Sequence, residues 1–274
     1  MISVYRGKTL IGDTVSPMNR ALWYGEGTFT TTRILGGRAL FLSRHIDRLL
    51  RTLNHFRWGE VTREDLLFAT GESLQRANLD AGILRVLVSS GDGHGMMASG
   101  EADIIVSITD EVRAPRGPLT IVTAEQPPAH YSDHKLSSYM HHTHLFQSQG
   151  VRDSAIRPDE VLRVWNGHVL EGARSNVFVW TGSEIWTPPT RDILNGITRQ
   201  AVCGLLPSLD IALREHELTQ EDLRRARAVF LTSSLMGIGP VETIDGNPVE
   251  SDPLASATME ALMRAFQEAL LRDK

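Results

Sequence analysis

His134-Lys135-Leu136-Ser137-Ser138-Tyr139 carries the only interior lysine of this chain. Of the three lysines, Lys8 sits in an edge turn and Lys274 is the last residue, while arginines are far more numerous. An amine that acts as a nucleophile must first shed its charge, and an interior position makes that easier. Taken alone, Lys135 also reads as a surface lysine that opens a helix. The spacing predicts a helix over residues 136–149. If the helix already includes the lysine, Tyr139 shares its face and sets a hydroxyl beside the amine.

Outward from the lysine, three more segments carry chemistry. Leu170-Glu171-Gly172-Ala173-Arg174-Ser175-Asn176-Val177-Phe178 places a carboxylate at the end of a strand, where burial demands a partner. Asn195-Gly196-Ile197-Thr198-Arg199 opens a helix, whose first N–H groups and dipole suit an anion. Leu231-Thr232-Ser233-Ser234-Leu235-Met236-Gly237 ends a strand in hydroxyls. Upstream, Arg48 can add a charge-assisted bond. Each has a plainer explanation in isolation: a solvated turn glutamate, a helix cap, a surface arginine. Together they form the inventory needed to hold an aldehyde that bears a pyridine and a phosphate, which is pyridoxal 5'-phosphate.

The 274 residues suffice for one large or two modest domains. With 41% hydrophobic and 22% charged residues the composition is that of an ordinary soluble protein rather than a disordered one. A net charge of −5 argues weakly against a nucleic-acid partner, and no apolar run reaches the length of a membrane span. No leader-like segment opens the chain, so a cytoplasmic protein is expected. Cys203 is the single cysteine and reads as an inert thiol on the inner face of a helix. His134, His141, His142 and His144 invite a metal, but no cysteine or carboxylate cluster accompanies them and none is expected.

Along the chain, Phe29 to Leu35 reads as a strand, followed by a Gly36-Gly37 turn and a second short strand. Ser43 is expected to cap a helix with Ile46, Leu49, Leu50 and Leu53 inside. A helix over 62–77 and strands over 83–89 and 102–108 follow. Proline, glycine and charge cluster at 112–118. A small N-terminal domain over 1–112, a linker over 113–118 and a larger C-terminal domain over 119–274 are therefore expected. Asn166-Gly167 signals a hairpin, and Thr219 with Asp222 a helix start. The pattern is α+β without regular βαβ alternation.

The ordered motifs resemble the fold type IV pyridoxal-phosphate enzymes, a group of branched-chain aminotransferases, D-amino-acid aminotransferases and 4-amino-4-deoxychorismate lyases. The likeness runs from about residue 2 to about residue 250. Besides the segments above, it rests on Tyr24-Gly25-Glu26-Gly27-Thr28-Phe29-Thr30-Thr31-Thr32-Arg33 and on His45-Ile46-Asp47-Arg48-Leu49. The resemblance implies a two-domain fold with the cofactor in the cleft, Lys135 in the C-terminal domain, and a homodimer acting on a small amino substrate. It also implies cofactor roles for Arg48, Lys135, Tyr139, Glu171, Ile197, Thr198, Ser233 and Ser234. Within the group the chain looks most like the lyases, which release pyruvate and leave 4-aminobenzoate for folate biosynthesis. Lys135 or Thr32 would then pass the proton to the leaving oxygen. The alternative is an aminotransferase of D-amino acids or branched-chain L-amino acids. The loop Ser89-Ser90-Gly91-Asp92-Gly93-His94-Gly95 lacks the arginines often found there in lyases, so Arg33, Arg85, Arg174 or Arg191 must supply any charge for the substrate carboxylate.

Overall fold

A computed structural model describes residues 1–96, 100–111, 117–152 and 158–272, for 149–152 the backbone alone. The chain divides into two compact units, Met1–Arg113 with His134–Tyr139, and Ala114–Asp133 with Met140–Lys274. Most of the expected linker, residues 113–116, lies outside the described residues.

The first unit contains β1 (Ile2–Arg6), β2 (Thr9–Gly12), α1 (Arg20–Trp23), β3 (Gly27–Leu35), β4 (Arg38–Ala39), α2 (Leu42–Phe56), α3 (Arg63–Ala77), β5 (Ala81–Ser89) and β6 (Asp103–Thr109). Its strands form one antiparallel sheet in the order β2-β1-β6-β5-β3-β4. Gly36 and Gly37, with φ of 59° and 71°, close the β3–β4 turn in a conformation that side chains resist. Ile46, Leu49 and Leu53 of α2 and Leu66 and Ala69 of α3 pack with Ile34, Leu84, Val86, Val106 and Ile108 of the sheet. Helix α3 covers nearly the expected span and starts on a reciprocal Thr62–Asp65 cap that the sequence did not single out. Helix α2 does not start as expected. Its N-cap is Phe41 in a left-handed conformation with no side-chain cap, and Ser43 lies inside the first turn.

The segment after His134 departs from expectation more sharply. Residues 136–139 are not helical; the helix starts at Met140. Instead Leu136 makes a bridge with Thr28, Phe29 N–H donates to the Lys135 carbonyl at 3.0 Å, and Ser137 N–H to the Gly27 carbonyl at 2.8 Å. Backbone groups satisfied by β3 have no need of a helix. The lysine thus packs with the first unit rather than with the C-terminal residues.

The second unit contains β7 (Leu119–Glu125), α4 (Met140–Arg152), β8 (Glu160–Trp165), β9 (His168–Gly172), β10 (Asn176–Trp180), β11 (Glu184–Thr187), α5 (Ile197–Leu205), β12 (Ala212–Glu215), α6 (Gln220–Arg225), β13 (Ala228–Ser233), β14 (Gly237–Ile244), β15 (Asn247–Pro248) and α7 (Pro253–Arg272). A mixed nine-stranded sheet runs β12-β11-β10-β13-β14-β7-β8-β9, with β15 on β14. Asn166 and Gly167, both at positive φ, turn β8 into β9. Thr219 caps α6 reciprocally with Asp222. Among the described residues no helix is long and apolar enough to cross a membrane.

Candidate active site

Alternation along β3 sorts its residues onto two faces. Thr28, Thr30, Thr32 and Ile34 are buried, while Phe29, Thr31 and Arg33 are half-buried on the opposite face. Lys135 belongs with the second set. Its Nζ stands 4.7 Å from the centre of the Phe29 ring, 4.8 Å from that of Tyr139, and donates to the Tyr139 hydroxyl at 3.4 Å. The lysine carbonyl is fixed by the Thr28 hydroxyl at 2.9 Å. Lys135 and Tyr139 therefore meet as expected, though through an extended segment instead of a helical turn. In β5, Arg85 lies directly opposite Thr31 and Leu87 opposite Phe29, so both share this face.

Thr32 does not. Its hydroxyl donates to the Leu40 carbonyl at 2.7 Å and is almost wholly buried on the helix-covered side. Its role here is to tie β3 to the chain entering α2, and the threonine on the lysine's face is Thr31.

Arg48, on α2, is 7% exposed. Its Nη2 donates to the Thr30 hydroxyl at 2.7 Å, and its Nε is buried without a partner. Burial pushes the guanidinium down to about 10, with Arg51 adding to the shift and Tyr139 opposing it. It therefore stays charged at neutral pH, a buried cation suited to an anion. Arg33 is also half-buried, with an unpartnered Nε, and burial lowers its pKa.

The loop entering β3 is held by a separate pair. Arg20, 1% exposed, grips Glu26 through two 2.7 Å bonds, and the Ser90 hydroxyl donates to the same carboxylate at 2.7 Å. Arg20, and then Ser90, hold the Glu26 carboxyl below its ordinary 4.5. A depressed carboxyl contributes stability that is present above the unfolded value and is lost as pH falls through the folded one. Wild type should accordingly exceed Glu26→Gln in stability at neutral pH, and the gap should shrink below pH 4.5. A gap unchanged between neutral and strongly acidic urea titrations would rule out the charge as its source.

In the second unit Glu171 closes β9, 4% exposed. It accepts from Leu194 N–H at 3.1 Å and from Asn176 Nδ2 at 3.4 Å, and Arg163 Nη1 lies 3.9 Å away. Arg163 is fully buried, and its Nη2 meets His142 Nδ1 at 3.0 Å. Asn176 also donates to the Leu194 carbonyl at 2.8 Å, joining Glu171 to the loop that opens α5. Gly196 is the N-cap of that helix and offers no side-chain cap to its first N–H groups. A Cβ there would fall 2.2 Å from Asn176 Oδ1, so only glycine fits. Ile197 and Thr198 are buried in the first turn, and on neighbouring β13 the Thr232 hydroxyl is buried without a partner. Ser233 accepts from Met236 N–H at 3.2 Å, which shapes the turn holding Ser234. The uncapped start of α5 and the orphaned Thr232 hydroxyl beside it are donor groups suited to a phosphate monoester.

Arg163, Asn176, Thr30 and His45 are the polar residues the sequence did not single out. Arg163 sits mid-strand among apolar neighbours, and that placement was its only local signal. Among the described residues no cluster of histidine, cysteine or acidic side chains could hold a metal ion. Cys203 is half-buried rather than fully enclosed, and burial raises its thiol pKa.

Residues 27–244 match the family described as amino-transferase class IV. The chain belongs to that family. As a class IV aminotransferase-family protein it is an enzyme of fold type IV whose cofactor is pyridoxal phosphate. It is 28% identical over 261 residues to the branched-chain-amino-acid aminotransferase of Escherichia coli (strain K12), covering 85% of this chain and 80% of that protein. It is 26% identical over 265 residues to the D-alanine aminotransferase of Bacillus licheniformis, covering 93% and 91%. A solved structure of a hypothetical aminotransferase from Mycobacterium tuberculosis, in its α-ketoglutarate and PMP bound form, has the same fold. The TM-score is 0.86 at 23% identity, over 99% of this chain and all of that one.

Proposed function

We propose that the protein is a pyridoxal-phosphate-dependent aminotransferase of branched-chain L-amino acids or D-amino acids. The observation that carries this reading is the pair Arg33 and Arg85 on the sheet face where Lys135 stands. Two cations on the same sheet face as the reactive amine supply what the loop 89–95 lacks, a grip on the substrate carboxylate. Curated relatives of both substrate kinds support the same choice. When bound, the cofactor supplies an aldehyde to receive the amino group and a ring that accepts electrons. Lys135 Nζ would hold the cofactor and move the substrate α-proton, and it donates a hydrogen bond to the Tyr139 hydroxyl beside it. Glu171 holds a proton at the pyridine nitrogen. Arg48, the Ile197 and Thr198 N–H groups, Thr198 Oγ1, Ser233 and Ser234 hold the phosphate.

A second reading, β-elimination of pyruvate from 4-amino-4-deoxychorismate, is favoured by one observation: Thr31 places a hydroxyl on the lysine's face, where it can hand a proton to the leaving oxygen. The two part in a single assay. Enzyme is incubated with L-leucine, D-alanine or L-glutamate, and separately with aminodeoxychorismate. Stoichiometric conversion of the cofactor to pyridoxamine phosphate by an amino acid supports the aminotransferase. Rapid 4-aminobenzoate release with no such conversion overturns it in favour of the lyase. The same reading makes the enzyme a homodimer, and a sedimentation mass equal to one 30.4 kDa chain would contradict that.

A further inference from the structure

Arg48 does not hold its orientation by itself. A long guanidinium side chain has several rotamers to lose, and its one hydrogen bond from the described residues is to Thr30 Oγ1. That oxygen is shared, for His45 Nδ1 lies in hydrogen-bonding contact with it from one turn earlier on the same helix. All three side chains are buried. We propose that Thr30 and His45 are positioning residues that aim Arg48 at a phosphate monoester, through the single oxygen between them.

The proton inventory leaves one consistent arrangement. Arg48 can only donate, so Thr30 Oγ1 accepts from it. Among the described residues the Thr30 proton then has one acceptor in reach, His45 Nδ1. The imidazole is therefore neutral, with its remaining proton on Nε2, which is buried and finds no partner. Burial first, then the charges of Arg48 and Lys135, hold that imidazole well below its ordinary value, so the arrangement persists across physiological pH. No carboxylate enters this set. A carboxylate in place of Thr30 would fix Arg48 equally well but would neutralise it. A hydroxyl backed by a neutral imidazole fixes the direction and leaves the full positive charge for the ligand. A bond whose donor is charged and buried also holds far better than the same bond in water.

This rests on the reading that Arg48 holds the cofactor phosphate, and the test separates the two. Equilibrium dialysis of the full-length protein compares pyridoxal phosphate with pyridoxal, which lacks only the phosphate. Thr30→Val keeps the shape and removes the shared oxygen. It should weaken pyridoxal phosphate about tenfold, a loss typical of a bond to a charged group, and leave pyridoxal unchanged. His45→Leu should act in the same direction, and Thr30→Ser should restore wild-type affinity. Arg48→Met should reduce the preference for the phosphorylated form at least as much as Thr30→Val does. The proposal is overturned if Arg48→Met reduces that preference while Thr30→Val and His45→Leu keep it whole. It is also overturned if these two weaken both ligands in parallel, which would be a packing effect. A preference left at its wild-type value by Arg48→Met would instead remove the reading that Arg48 holds the phosphate, and this proposal with it.

Discussion

Replacing Lys135 by alanine is expected to lower turnover by about 10²–10⁴-fold or more, the range associated with losing a positioned acid–base group, since the covalent link is lost as well. Wild-type protein loaded with pyridoxal phosphate and treated with borohydride should yield one labelled peptide, containing Lys135. The other two lysines are an exposed residue paired with Glu64 and the terminal residue, so neither offers a rival site. On the proposed phosphate assignment Lys135→Ala should retain phosphate-dependent binding, yet give no labelled peptide. Label on Lys8 or Lys274 in the wild type, or turnover within a few-fold of normal in the variant, would sink the assignment.

Arg163→Met should destabilise the protein by about 3–5 kcal/mol, the usual cost of removing one partner from a buried ion pair. Arg163 is wholly inaccessible and stands 3.9 Å from Glu171, itself nearly inaccessible. Without the guanidinium, the buried carboxylate keeps its bonds from Asn176 and the Leu194 N–H but loses this cation, and His142 loses the donor at its Nδ1. Urea titration measures the loss. Adding Glu171→Gln to Arg163→Met should recover part of it, because the stranded charge is then gone and two neighbours that share a contact are not additive. A single variant within about 0.5 kcal/mol of wild type, the scatter of ordinary surface changes, would show that the pair does not matter to stability.

Much of this site was legible because its signals are short. Asn195–Thr198 announces a helix start, Glu171 and Lys135 stand in compact motifs, and Thr219 was recognised with the acidic residue three positions on that completes the cap. What failed depends on distant residues. Nothing between 134 and 139 announces that the backbone will be claimed by β3, 107 residues away in sequence, so helical spacing was the natural reading. Strand parity misled in the same way. Three consecutive threonines look interchangeable until the sheet sends Thr30 and Thr32 to one side and Thr31 to the other. Ser43 looked like a cap because its residue type is right, but the chain reaches α2 through a left-handed Phe41 one residue before the helix.

Asn176 has a consequence for inheritance. By bonding Glu171 and the Leu194 carbonyl, with Gly196 pressed against it, this side chain ties the end of β9 to the opening of α5. Phe29, Thr31, Arg33 and Arg85 belong to a different sheet. Under the proposed function, substitutions at these four positions redirect which amino compound is accepted while the tie between Glu171 and α5 passes unaltered to the descendant. A lineage built this way can try new chemistries one residue at a time without first losing the old vitamin.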